Sequence, residues 1–391
     1  MTPWLHVVGI GEDGVEGLSP RARAVIEAAA SVVGGARHLA LAESLIRGEA
    51  AMWPRPMEAA FPALLARRGS PCVVLASGDP LFYGVGTALL ALVPDAAVLP
   101  VPSSVSLACA RLGWAVQDVA VVSACGRPLA AVRPHLCDGA RLIVLSADAE
   151  TPAALAALLD AHGFAASAVH VMERLGGPHE RVRRWPAAGP DPLNLLAIEV
   201  AGGGIAMPRT AGRADALFAH DGQITKYEVR AVTLAALAPT PGALLWDIGC
   251  GSGAIGVEWS LAHPACRAIG IEADPVRAAR AAANAAALGV PSLRVVTGAA
   301  PAALYGLPPP DAVFVGGGAE DGALDAAWDA LRPRGRMVAN AVMAETEAML
   351  LHALRTHGGT LTRIGVERLG PLGTGHGFVP ARTITQWAAT K

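Results

Sequence analysis

Lysine is almost missing from this chain: of 31 basic residues only Lys226 and Lys391 are lysine, and the rest are arginine. Any step that needed a Schiff base would have Lys226 as nearly its sole candidate. Arginine as the default cation suits a bidentate grip on carboxylates. There is no C-x-x-C, and the six cysteines, at 72, 109, 125, 137, 250 and 266, are scattered. That argues against a zinc site or a disulfide framework, suits a reducing compartment, and leaves no metal expected. Most of these cysteines read as small buried hydrophobes. No run of 18 apolar residues occurs, and the longest uncharged stretches, such as 231–246, are broken by Pro and Gly, so no transmembrane helix is expected. The start, Met1-Thr2-Pro3-Trp4-Leu5-His6, lacks the basic region of a signal peptide and runs into an apolar strand, so a cytoplasmic location is expected. A strong charge balance is absent too: the net charge is −2, with no basic field to draw nucleic acid. The nearest basic cluster, Glu180-Arg181-Val182-Arg183-Arg184-Trp185, reads as a solvated face or a local anion site.

What is present is length and glycine. A chain of 391 residues that is 53% hydrophobic is globular and long enough for two domains. The clearest composition break is Ala201-Gly202-Gly203-Gly204-Ile205-Ala206-Met207-Pro208, which reads as a flexible joint. It divides the chain into domains 1–206 and 207–391.

The second half is organised around residues 244–256. Leu244-Leu245-Trp246 ends in the acid Asp247, after which Gly249, Gly251 and Gly253 alternate with Cys250 and Ser252. The pattern is a strand, a tight turn and the start of a helix. Glycine lets a ligand lie against the backbone, and the helix N-terminus offers unpaired N–H groups. A second strand, Ala268–Ile271, ends in Glu272, 19 residues after Gly253, near where an acid holds the ribose hydroxyls of a nucleoside. Two cofactors fit, a dinucleotide or S-adenosylmethionine (SAM). The glycines depart from the dinucleotide spacing G-x-G-x-x-G, and a leading acid would repel a pyrophosphate but help hold an ammonium, which favours SAM. The bland alternative is a glycine-rich turn with no ligand.

Before that loop, Thr225 with Glu228 reads as a capping box opening a helix to about Leu237. Lys226 and Arg230 on it are either substrate-facing cations or an exposed helix face. After Glu272, strands and helices keep alternating, through a strand ending in Gly298-Ala299, another ending in Gly316-Gly317-Gly318, and a strand containing Asn340. The order fits a doubly wound, Rossmann-like sheet with its topological switch at the glycine loop.

The first half carries its own strand ends. Residues 5–11 form a short apolar strand ending in Gly9-Ile10-Gly11, then Leu18-Ser19-Pro20 opens a helix to about Ala30. Cys72–Ala76 opens into Gly78-Asp79-Pro80-Leu81, an acid and free backbone at a sheet edge, or else a plain Asp-Pro turn. Ser103 and Ser104 begin an apolar helix. Strands recur with helices between them, so this half reads as α/β with a mostly parallel sheet.

Val8-Gly9-Ile10-Gly11, Gly78-Asp79-Pro80-Leu81-Phe82-Tyr83-Gly84 and Pro102-Ser103-Ser104 resemble the tetrapyrrole methylase family. Cys125-Gly126-Arg127-Pro128 and Glu173-Arg174-Leu175-Gly176-Gly177-Pro178 resemble its C5-methylating corrin branch. The resemblance spans nearly all of 1–202 and implies two α/β subdomains with SAM folded between them. It implicates Gly78, Asp79, Leu81, Ser103 and Ser104 in cofactor binding, with Gly9 and Gly11 near the substrate.

The second half resembles class I SAM-dependent methyltransferases, and within them the decarboxylating corrin branch that methylates C15, over roughly 215–391. The matching stretches are Asp221–Arg230, Leu245–Gly253, Ile271–Asp274, Val313–Gly318 and Val338–Val342. The resemblance implies cofactor contacts at Gln223, Thr225, Asp247, Gly249, Cys250, Gly251, Ser252, Gly253, Glu272, Gly298 and Ala299, and a substrate contact at Asn340. The stretch 371–378 departs from that pattern. The fused order implies two SAM per chain and a precorrin, a reduced tetrapyrrole bearing acetate and propionate chains. Arginines should clamp those acids, with Lys226 and Arg230 the candidate catalytic-site cations. No nucleic acid or membrane partner is expected, and a homo-oligomer is. Competing readings are an enzyme for another tetrapyrrole, an RNA or protein methyltransferase with a dimerising N-half, an NAD-dependent reductase, and a binding protein with vestigial loops.

Overall fold

The computed structural model describes residues 3–54, 56–318 and 322–391. Met1 and Thr2, part of the stretch read for a leader, lie outside them. The chain divides into two compact units, Met1–Leu129 with Cys137–Ile205, and Ala130–Leu136 with Ala206–Lys391.

The first unit holds two five-stranded sheets. One contains β1 (Leu5–Ile10), β2 (Ser31–Gly34), β3 (Glu49–Met52), β4 (Cys72–Ser77) and β5 (Ala97–Leu99), in the order β3-β2-β4-β1-β5. All its pairings are parallel. Helices α1 (Pro20–Glu27), α2 (Ala36–Ala42), α3 (Phe61–Leu65) and α4 (Gly86–Leu92) connect them. The expected cap of α1 is present: Ser19 Oγ accepts the N–H of Ala22 at 3.2 Å. β1 and β4 are near-continuous apolar runs because helices cover both faces of a parallel sheet.

Helix α5 (Ser104–Leu112) leads to the other sheet. It holds β6 (Val119–Ser123), β7 (Arg141–Leu145), β8 (Ala168–Glu173), β9 (Arg181–Arg184) and β10 (Asn194–Glu199), ordered β6-β7-β10-β8-β9, with α6 (Thr151–Ala161) between β7 and β8. Here only β6–β7 is parallel, while the other three pairings are antiparallel. The mostly parallel expectation therefore holds for the first sheet and not the second, because β8 and β9 form a hairpin and β10 inserts against both β7 and β8. The glycine run before residue 205 answers a packing demand: a Cβ on Gly204 would lie 2.1 Å from the carbonyl oxygen of His162, and one on Gly202 2.4 Å from that of Gly163.

The second unit holds one seven-stranded sheet and a separate two-stranded hairpin. Its elements are α7 (Tyr227–Leu237), β11 (Leu244–Ile248), α8 (Ala254–Ala262), β12 (Arg267–Glu272), α9 (Pro275–Ala287), β13 (Arg294–Thr297), β14 (Ala312–Val315), α10 (Ala323–Ala330), β15 (Arg336–Ala341), α11 (Ala344–His357), β16 (Thr360–Ile364), a hairpin of β17 (Glu367–Leu372) and β18 (Gly375–Pro380), and β19 (Ile384–Thr390). The order is β13-β12-β11-β14-β15-β19-β16. β11 sits between β12 and β14, so the strand order reverses at the loop that follows β11. A doubly wound sheet opens its ligand crevice there. Aromatics are few, and the core uses them: Trp246, Trp328 and Trp387 are buried in one cluster.

Candidate active sites

β1 and β4 run side by side, with Ile10 opposite Ser77. Gly11 and Gly78 therefore leave the same carboxyl edge of the sheet. A cavity of about 460 Å³ lies at that edge. Gly11, Gly78, Asp79, Ser103 and Ser104 all line it. Gly78 has φ +57, a backbone conformation that favours glycine. Asp79 Oδ1 accepts the N–H of Leu81 at 2.9 Å, an Asx turn that fixes the loop. Ser103 caps α5 by accepting the N–H of Ser106 at 3.1 Å. The exposed Ser104 hydroxyl has no hydrogen bond among the described residues.

Two expected site residues stand elsewhere. Gly9 is off the cavity wall, and a Cβ there would fall 1.9 Å from the carbonyl oxygen of Gly78. It supports the Gly-Asp-Pro loop from behind. Leu81 turns outward, 46% exposed, and contributes its backbone N–H to Asp79.

The cavity also exposes a polar cluster that no local pattern announced. Arg37 and Arg174 both donate to Glu12, the latter at 3.3 Å. Arg37 also donates to Ser77 Oγ at 2.8 Å and contacts His38 Nε2 at 2.9 Å. Burial, with the Arg37 charge beside it, pushes the His38 imidazole down to about 4, so this ring is neutral at physiological pH. In the sequence Arg174 stands out only within the Glu173–Pro178 motif, and Arg37 and His38 follow a Gly-Gly pair with no other signal.

In the second unit a cavity of about 790 Å³ surrounds the loop after β11. Gln223, Thr225, Lys226, Asp247, Gly249, Cys250, Gly251, Ser252, Glu272, Gly298, Ala299 and Asn340 line it. Gly249, Gly251 and Gly253 have φ of +68, +54 and +74, but their surroundings differ. A Cβ on Gly249 would meet the Gly317 carbonyl oxygen at 2.5 Å, whereas one on Gly251 would meet nothing closer than the Gln223 carbonyl at 3.7 Å. Of the three, Gly251 is the one against whose backbone a ligand can lie. Gly253 is not on the cavity wall; it lets α8 approach α9, where a Cβ would sit 3.0 Å from that of Ala281.

Glu272 accepts the N–H of Gly251 at 2.8 Å and that of Asp274 at 3.1 Å. Each carboxylate oxygen keeps a lone pair for a hydroxyl donor. Asp247 accepts the N–H of Gly256 at 2.9 Å through Oδ2, and its buried Oδ1 has no partner. Burial, aided by the negative charge of Glu272, pushes its carboxyl up to about 7. At the glycine loop these two acids suit a cationic group, as a sulfonium or an ammonium would be, and disfavour a pyrophosphate, while the cations of the cavity come from other segments. Cys250 packs its Sγ over Gly270, and burial raises its thiol pKa well above the ordinary value, so it is not a nucleophile. Asn340 is held from two sides, donating to Thr233 at 3.0 Å and accepting from Gln386 at 2.9 Å.

The two proposed cations separate. Lys226 lines the cavity, its nearest acid Asp215 being 3.9 Å away. Arg230 is neither a substrate clamp nor an exposed helix residue. It is fully buried, donating to Glu258 at 2.7 Å, to Asp215 at 3.0 Å, and to the carbonyls of Thr225 and Arg213. Its charge is consumed internally. The capping box is also absent: Lys226 is the N-cap residue of α7, with no side-chain cap bond. Glu228 instead accepts two hydrogen bonds from Arg368, at 3.2 and 2.6 Å. Arg277, Arg368 and Arg382 line the cavity as well; the last two flank the stretch 371–378 that departs from the family pattern.

Among the described residues no helix is long and apolar enough to cross a membrane, and no group of three or more His, Cys, Asp or Glu residues is placed to hold a metal. Residues 4–190 match the profile of tetrapyrrole (corrin/porphyrin) methylases, and 216–391 that of the precorrin methyltransferase domain. A precorrin-6Y C(5,15)-methyltransferase (decarboxylating) from a Sinorhizobium species is 55% identical over 100% of this chain and 97% of its own length. A cobalt-precorrin-7 C(5)-methyltransferase of Salmonella typhimurium is 33% identical, covering 47% of this chain and 91% of its own. A probable cobalt-precorrin-6B C(15)-methyltransferase (decarboxylating) of Saccharolobus solfataricus is 35% identical, covering 38% of this chain and 77% of its own. With two methyltransferase halves in this order and likeness along its whole length, the chain belongs to the family of decarboxylating precorrin-6Y C(5,15)-methyltransferases.

Proposed function

We propose that the chain methylates precorrin-6Y at C5 and C15 with SAM and removes the ring-C acetate (at C12) as CO₂, giving precorrin-8X on the aerobic route to cobalamin. Residues 1–206 carry out the C5 methylation, and residues 207–391 the C15 methylation and the decarboxylation. The observation that carries this reading is that each unit has its own cavity at a glycine-bounded strand end. Two relatives that each cover less than half of the chain are named for one of the two methylations, which supports the division of labour.

SAM, when bound, supplies an electrophilic methyl group, and an in-line carbon nucleophile about 3 Å away is most of what transfer requires. In the first unit Gly78, Asp79 and Ser104 hold the cofactor, with Gly11 on the substrate side. In the second unit Gly251 gives it backbone access, Glu272 takes the ribose hydroxyls, and Asp247, buried beneath the loop, supplies negative charge for the ammonium. Gly249, Cys250 and Gly298 shape the wall, and Asn340, held rigid by Thr233 and Gln386, orients the macrocycle.

The substrate provides its own electron sink. Breaking the C–CO₂ bond of the acetate releases an electron pair into ring C, whose protonated nitrogen accepts it. The resulting enamine is nucleophilic at C15, which takes the methyl group with the thioether as leaving group, and the methylene left on C12 takes up a proton to become a methyl group. The chain's task is to hold and desolvate, and Lys226 is the cation it offers to a substrate carboxylate.

Each chain binds two SAM, works in the cytoplasm and assembles as a homo-oligomer. Leu369, Leu372 and Phe378, each more than 60% exposed on the β17–β18 hairpin, are the apolar surface available for assembly. Calorimetric titration of the full chain should give two SAM sites, with Glu272→Ala removing one of them. One site in the wild type would favour a non-catalytic N-half, and none would contradict the assignment.

A further inference from the structure

Four cations from unconnected segments line the cavity of the second unit, and three already have an acid at hand. Arg277 donates to Asp221 at 2.9 Å, Arg368 is held by both oxygens of Glu228, and Lys226 lies 3.9 Å from Asp215. Arg382, in the link between β18 and β19, lines the same cavity, is exposed, and has no hydrogen bond or ion pair among the described residues. The acids that line this cavity cannot neutralise it without leaving their partners. Glu228 is engaged by Arg368, Glu272 is held by two backbone N–H groups, and Asp247 is buried beneath the glycine loop. An unpaired guanidinium on a cavity wall presents up to five N–H donors in a planar fork shaped for a carboxylate. The strand, loop and acid that would bind a nucleoside come from β11, β12 and their turns; Arg382 comes from the far end of the unit's sequence.

We propose that Arg382 is a substrate-binding residue of the C15 site, gripping a peripheral acetate or propionate of the tetrapyrrole, with Lys226 as the second cation. This rests on the reading of that cavity as the tetrapyrrole site. It replaces Arg230, whose donors are spent inside the fold, and it gives the link after the β17–β18 hairpin a role in specificity. A polycarboxylate macrocycle is discriminated from a neutral one of the same shape because only the former pairs this charge.

The test uses the full chain with Arg382→Gln and Arg382→Lys, measuring C5 and C15 products by mass across tetrapyrrole concentrations, and SAM affinity by calorimetry. For Arg382→Gln the KM of the C15 step should rise about tenfold to a hundredfold, the range for losing a hydrogen bond to a charged group. SAM affinity and C5 methylation should be unchanged, and Arg382→Lys should recover part of the loss. An unchanged KM for Arg382→Gln overturns the assignment. So does a weakened SAM affinity with unchanged KM, which would make Arg382 a cofactor residue. A wild-type chain that yields the C5 product and no C15 product overturns the reading of the cavity itself, and the Arg382 assignment with it.

Discussion

Replacing Gly9 by alanine should lower C5 methylation about a hundredfold while C15 methylation and decarboxylation continue, since a misplacement of about 1 Å is enough to cost that much in rate. The added Cβ would lie 1.9 Å from the Gly78 carbonyl oxygen and 3.0 Å from the Val101 nitrogen. Both are backbone atoms, so no side-chain rotation relieves the overlap, and one strand must move from the other. The Gly78–Asp79 turn is what shifts, because Gly78 directly follows β4, which runs beside β1. Product mass distinguishes the outcomes directly: the variant should give a species that has lost CO₂ and gained the C15 methyl only. Gly9 was expected on the substrate side of the cleft; it acts through the loop it supports, so SAM affinity in the first unit should fall along with rate. Unimpaired C5 methylation would mean that β1 and the loop have more freedom than this packing allows.

Arg230→Ala should destabilise the second unit by about 3–5 kcal/mol, the usual cost of removing one partner of a buried ion pair. Glu258 would remain buried, still receiving the N–H of Gly212 at 2.7 Å and of Arg213 at 3.0 Å, with the Arg213 guanidinium 3.6 Å away. That residual network softens the loss without replacing the charge-assisted bond from Arg230. The carbonyls of Thr225 and Arg213 would lose their donor as well. Denaturant unfolding followed by tryptophan emission should show an earlier transition, since Trp246, Trp259, Trp328 and Trp387 are all buried in this unit. At temperatures where the variant is folded, the KM for tetrapyrrole should match wild type. A raised KM with unchanged stability would restore the substrate-clamp reading that the geometry removes.

The contrast between Lys226 and Arg230 marks where sequence reading stops. The alternating glycines after an apolar strand dictate a strand, turn and helix by local rules, and Glu272 follows at a spacing set by one helix and one strand. The cavity at that loop was therefore legible, as were Ser19 as a cap and the Gly-Asp-Pro turn. Whether a cation four residues along a helix faces the cavity or the core depends on what packs against it. Glu258 lies on α8 and Asp215 upstream of α7, and nothing near residue 230 in the sequence points to either. The capping box failed for a related reason: Glu228 bonds to Arg368, 140 residues away, instead of reaching back to its own helix end. Arg382 and Arg37 carry no signal in the sequence, because each is one ordinary arginine in a chain full of them, and only the fold brings them to a cavity wall. Glycines divide the same way. Gly251 lines the cavity with room for a ligand, while Gly9, Gly204 and Gly253 exist for close packing, and the pattern of the letters does not separate the two uses.

The most direct test is the mass of the product formed from precorrin-6Y and SAM by the full-length chain, set beside the Gly9→Ala and Glu272→Ala variants. The account predicts two methyl groups gained and one CO₂ lost for the wild type. Gly9→Ala should lack only the C5 methyl, and Glu272→Ala should lack the C15 methyl. A wild-type chain that binds SAM yet leaves the mass of precorrin-6Y unchanged would contradict the account, as would a variant in one unit that abolishes both methylations while the other unit still binds SAM.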